Sequence, residues 1–157
     1  MKKFILIFLM VLSINLIAQK SIIIGDSQSY YIALNSKKAS LYKPLYKIGV
    51  GLKYLDNKVK VNSYDYCVDN VFISIGVNDL YKYQTNNLVK NLKIKFPNAK
   101  LYMIKGSYGW GNVKTFNPNY YPKFGLPVLK NGIGYGEPHR NKKSYKDIGK
   151  EIDNLIK

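Results

Sequence analysis

A chain of 157 residues is long enough for one domain whose core needs no staples, and its single cysteine, Cys67, excludes an internal disulfide. The 25 Lys and Arg against 9 Asp and Glu give a net charge of +16, which makes a surface that attracts polyanions. The lysines are scattered through "NSKKASLYKPLYK", "KNLKIKFPNAK" and "HRNKKSYK" without a nucleic-acid motif, so no nucleic-acid partner is expected and anionic cell-envelope polymers or glycans suit the charge better.

The first element reads as a leader. Lys2 and Lys3 precede an apolar run, Phe4 to Ala18, that is too short for a comfortable bilayer span, and the small Ala18 fits a cleaved secretory signal. Residues 1–19 are therefore set apart from a domain at 20–157, with the protein secreted or periplasmic and without a stable membrane span. Leu16 stands where such a cleavage site favours a small residue, which keeps an uncleaved anchor as the alternative.

Beyond the leader, "SIII" at 21–24 reads as a buried strand and "SQSYYIALNS" as a short helix. A second strand is expected in "LYKIGV" and a helix from "GLKYLDNKV". The central strand lies in "CVDNVFISIG", where Val68, Val71, Phe72, Ile73 and Ile75 leave little room for a wet face and Cys67 reads as a small buried core residue. "TNNLVKNLKIKF" places Leu88, Leu92 and Phe96 at helical spacing, and "KLYMIKG" is a further strand. The segment 107–135 is rich in Gly, Pro, Asn and aromatics and reads as a structured loop. "KKSYKDIGKEIDNLIK" closes the chain as an amphipathic helix with Tyr145, Ile148, Ile152 and either Leu155 or Ile156 along one stripe. Strand and helix in alternation predict a three-layer α/β/α sandwich with a central parallel sheet, whose ligands bind at the carboxyl ends of the strands.

Those strand ends carry, in order, Ser27, the glycines of "IGVG" at Gly49 and Gly51, "GVND" at 76–79, and His139. The arrangement resembles the SGNH hydrolase superfamily, also called GDSL esterases and lipases, over essentially all of 20–157. Gly25-Asp26-Ser27 stands for its first block, a glycine of "IGVG" for its second, and Gly76-Val77-Asn78-Asp79 for its third. His139, just before the closing helix, stands for its last. The resemblance implies a flavodoxin-like SGNH fold and a serine esterase, with Asp26 and Asp79 as structural partners rather than proton carriers.

Acyl transfer explains the residue types. Ser27 is a poor nucleophile until a base takes its proton, and His139, the chain's one histidine, is the residue type suited to that task near neutral pH. The oxyanion that forms needs donors already in place, which the Ser27 N–H, a glycine N–H and the Asn78 side-chain amide would supply. Gly51 is preferred to Gly49 as that glycine, because the family's glycine opens a helical segment and "LKYL" follows Gly51. Each residue also has a plainer explanation: Ser27 or Asn78 could cap a helix, and a lone histidine can be structural.

One departure from the family stands out. Its acid lies three residues before the histidine, where this chain has Gly136, while Glu137 lies two before His139. Either Glu137 orients the imidazole, or a backbone carbonyl or water does so and the site is a Ser-His dyad. Trp110, in "GSYGWG", is a substrate-binding candidate for a sugar or an acyl chain, or it packs the long loop. No metal site or phosphate loop is discernible and no cofactor is expected. The expected protein is thus a monomeric secreted esterase removing acyl groups, acetyl among them, from a carbohydrate or another small ester. The same residues would serve acyl transfer to a sugar. The alternative is a catalytically weak or inactive cationic protein that keeps the fold and binds surface glycans.

Overall fold

Three consecutive isoleucines cannot alternate between core and water, so the strand they form must be covered on both faces. The computed structural model describes residues 19–60, 63–75, 78, 86–104, 128–129 and 142–157, and in it Ile22, Ile23 and Ile24 are all at most 2% exposed. They belong to β1 (Lys20–Gly25), which is followed by α1 (Ser27–Ala33), β2 (Ala39–Tyr46), α2 (Leu52–Val59) and β3 (Val68–Ser74). Next come α3 (Asn86–Lys95), β4 (Lys100–Ile104), β5 (Val128–Leu129) and α4 (Lys142–Leu155). The strands pair in parallel in the order β2-β1-β3-β4-β5.

Strand pleating divides the core in two. Ile22, Ile24, Val71, Ile73, Leu101 and Met103 pack against Leu52, Leu55 and Val59 of α2 and Leu88, Val89 and Leu92 of α3. On the other face Ile23, Phe72, Tyr102 and Ile104 pack against Ile32 of α1 and Tyr145, Ile148 and Ile152 of α4. Phe72, wholly buried, stacks on Tyr102 with ring centroids 4.9 Å apart. Each such side chain removed from water stabilises the fold by about 1.5–3 kcal/mol. The chain is therefore an α/β sandwich of three layers.

Four local expectations are corrected or sharpened. The second strand runs from Ala39 to Tyr46 rather than through "LYKIGV", because Gly49, at φ +74°, turns the chain and Lys47 N–H donates to Gly25 O at 3.1 Å. Pro44 is tolerated within it since β2 is the sheet's edge, where a missing N–H breaks no ladder bond. Ile23 pairs with Leu41 but Gly25 with Tyr46, so β2 bows outward between those partners. The segment 107–135 supplies β5, a two-residue strand on β4 that no sequence period could reveal. Cys67 is exposed, not buried: β3 starts one residue later, and Cys67 lies in the preceding turn with its N–H on Asp65 Oδ1 at 3.1 Å. In α4, Ile156 (4% exposed) rather than Leu155 (39%) continues the apolar stripe.

The last helix is fastened to the end of α1. Asp153 accepts from Ser36 Oγ at 2.6 Å and from the N–H groups of Lys37 and Lys38 at 3.0 Å. Burial raises the pKa of Asp153, but those hydrogen bonds outweigh it and hold the carboxyl below its usual range. No helix among the described residues is long and apolar enough to cross a membrane.

Candidate active site

The carboxyl ends of β1 and β3 touch so closely that only glycine fits at residue 25. A Cβ there would lie 1.9 Å from Ser74 O, and its φ of +134° is one that L side chains rarely adopt. The next residue turns the chain into α1: Asp26 N–H donates to Ser74 O at 3.1 Å, and Asp26 Oδ1 accepts from Gln28 N–H at 2.9 Å. Asp26 is therefore the helix cap, 1% exposed, and Ser27 is the first helical residue, half-buried. The capping explanation for Ser27 does not hold, because its neighbour already performs that task.

The second block sits beside the first. Gly49 makes the turn after β2, and Gly51, with extended backbone at φ −111° and ψ −173°, is the residue from which α2 starts. Between them Val50 O accepts from Asn78 Nδ2 at 2.9 Å, and the same Nδ2 lies 3.4 Å from Asp26 Oδ2. One amide from the loop after β3 thus bridges the residue before Ser27 and the residue before Gly51. The residues that follow Asn78, from 79 to 85, lie outside the described residues.

An aromatic rim adjoins this cluster. Tyr30 and Tyr31 follow Ser27 by three and four residues, which places all three on one side of α1. Tyr30 stacks on Tyr46 with centroids 6.1 Å apart, and Tyr46 is the register partner of Gly25. Burial, then the neighbouring Tyr30, Tyr31 and Asp26, raise the Tyr46 pKa above that of an ordinary phenol. Sequence reasoning missed these tyrosines, although the spacing in "SQSYY" carried the signal; it singled out Trp110 instead. Trp110, Glu137 and His139 lie outside the described residues, as do Gly76 and Asp79. Ser27, Gly51 and Asn78 are brought to one end of the sheet.

The described residues contain no group of three or more His, Cys, Asp or Glu side chains able to hold a metal ion. Neither a family model nor a curated protein matches the chain. Among solved structures it is similar to a Streptococcus pneumonia protein provisionally described as a platelet activating factor, at 14% identity and a TM-score of 0.62. The match covers 99% of this chain and 92% of that one. At that identity the likeness concerns the fold.

Proposed function

We propose that this chain is a serine ester hydrolase of the SGNH type, acting on acyl esters of a carbohydrate or another small alcohol. The observation that carries the reading is the Asn78 amide, 2.9 Å from Val50 O and 3.4 Å from Asp26 Oδ2, which joins the three sequence blocks at the carboxyl end of the sheet. The description given to the Streptococcus pneumonia protein points the same way.

In the proposed reaction Ser27 Oγ attacks the ester carbonyl while His139 takes the hydroxyl proton. The oxyanion accepts from Ser27 N–H, Gly51 N–H and Asn78 Nδ2, and it displaces the long Asn78 contact to Asp26 rather than the short one to Val50. Collapse breaks the carbon–oxygen bond to the alcohol, which leaves with the proton held by His139. Water then repeats the sequence on the acyl-serine, giving up its proton to His139 and releasing the acid and Ser27. Glu137 orients His139, or a backbone carbonyl or water does. Residues 1–19 serve as a secretory leader, and the mature protein works outside the cytoplasm on substrates of anionic envelopes.

A fluorophosphonate probe tests the reading, since it reacts only with a serine whose base is engaged. Wild type should be labelled at Ser27 and Ser27→Ala should not. A folded wild type that resists the probe would sink the esterase and favour the cationic glycan binder.

A further inference from the structure

From the rim at Tyr30 an open groove of about 480 Å³ runs between α1 and the edge strand β2. Its walls include Tyr30, Leu34, Leu41, Lys37, Lys38 and Lys43, with no acidic side chain among the lining residues. Tyr30 is 41% exposed and Leu34 64%, so aromatic and aliphatic surface is offered along with the charge. The ammonium of Lys38 is held at Ile156 O, whereas Lys37 and Lys43 have no ion-pair partner among the described residues. The carboxylate nearest the turn, Asp153, already accepts from Ser36, Lys37 and Lys38.

We propose that this groove is the subsite for an anionic glycan chain carrying the ester, a reading that rests on the hydrolase assignment and names its substrate class. Apolar faces of sugar rings suit Tyr30 and Leu34, while carboxylate or phosphate groups on the chain suit Lys37 and Lys43. Tyr30 lies one helical turn from Ser27, about 4.5 Å along the axis, so the Tyr30 end of the groove is the end nearer the proposed nucleophile. The groove follows β2 from Ala39 to Lys43, roughly 13 Å at the usual rise per residue, which is room for an oligosaccharide rather than a single sugar.

The test measures binding directly, so it does not depend on hydrolysis. Polygalacturonate is titrated into wild type, a Lys37→Glu/Lys43→Glu variant, and a control reversing two exposed lysines of α4, Lys142→Glu/Lys146→Glu. The groove variant should bind about tenfold more weakly at low salt, with a salt slope shallower by about one per lysine, and the control should lose far less. Circular dichroism confirms that each variant folds, and Lys37→Gln/Lys43→Gln should give an intermediate loss. Equal losses in groove and control variants would overturn the proposal, as would tighter binding of oligo(dT) than of polygalacturonate through the same lysines. A concentration-dependent dimer that polygalacturonate fails to disperse and the groove variant abolishes would also overturn it, by making a second copy the occupant. Fluorophosphonate labelling run alongside separates the two ideas: labelling without groove-dependent binding refutes the subsite alone, and groove-dependent binding without labelling refutes the hydrolase alone.

Discussion

The buried carboxylate of Asp26 performs two tasks that substitution can separate. Its Oδ1 accepts from Gln28 N–H at 2.9 Å and so caps α1, while Oδ2 lies 3.4 Å from Asn78 Nδ2. Asp26→Ala removes both acceptors at a position 1% exposed, beside Gln28 at 2%. A lost cap costs about 1 kcal/mol at an exposed helix end, and a buried N–H deprived of its acceptor costs about 1–3 kcal/mol, so about 2 kcal/mol is expected. For a domain of this size that lowers the melting temperature by about 6 °C. Asp26→Asn behaves differently. Its carbonyl oxygen still serves Gln28, and removal of a buried charge relieves desolvation, so stability should change by less than about 1 kcal/mol. Its amide nitrogen, however, would face Asn78 Nδ2, donor against donor, and fluorophosphonate labelling of Ser27 should slow by about tenfold as Asn78 moves. Urea denaturation followed by circular dichroism gives the stabilities, and timed labelling gives the reactivity. Equal stability of wild type and Asp26→Ala within about 0.5 kcal/mol, or identical behaviour of the two variants, would refute this division of labour.

In the proposed mechanism Asn78→Ala should lower kcat by about 100- to 1000-fold with little change in KM, because a bond to the oxyanion would strengthen only in the transition state; an unchanged kcat in the folded fraction would remove it from the site. Gly25→Ala should destabilise by about 3 kcal/mol or more, since its Cβ would meet Ser74 O at 1.9 Å and its φ is +134°; soluble yield and urea midpoint report it. The depressed carboxyl of Asp153 contributes stability that is complete above the unfolded aspartate value, about pH 4, and disappears as pH falls through the lower folded value. Asp153→Ala should therefore cost about 2 kcal/mol at pH 7, and the gap to wild type should close under acid conditions in urea titrations. Glu137→Gln should depress hydrolysis by orders of magnitude if Glu137 orients His139, and by less than about tenfold, well short of His139→Ala, if the site is a dyad.

Sequence periodicity revealed what is determined locally. Ile22–Ile24 running into Gly25-Asp26-Ser27 located a buried strand and the turn at its end, and Leu88, Leu92 and Phe96 located α3, because each pattern is complete within one element. Features requiring a distant partner were hidden. β5 exists through its pairing with Met103 and Ile104, and the exposure of Cys67 follows from where β3 enters the sheet. The Asn78 bond to Val50 O spans 28 residues, so no motif could announce it. The tyrosines beside Ser27 were implied by the spacing in "SQSYY", and the burial of Gln28, Ser29 and Ile32 on the other side of α1 makes that spacing count.

A sheet edge is ordinarily an invitation to another strand, because its outward N–H and C=O groups can extend the ladder into a second molecule. The bowed strand β2 declines that invitation in its own geometry. Between the partners of Ile23 and Gly25 the chain carries four residues, Tyr42 to Leu45, where one would suffice, and among them Lys43 brings a charge and Pro44 lacks a donor. An incoming strand would find regular spacing only along Ala39 to Leu41, too short a template to hold it. Added to the mutual repulsion that a net charge of +16 gives the full chain, this keeps neighbouring copies from zipping together.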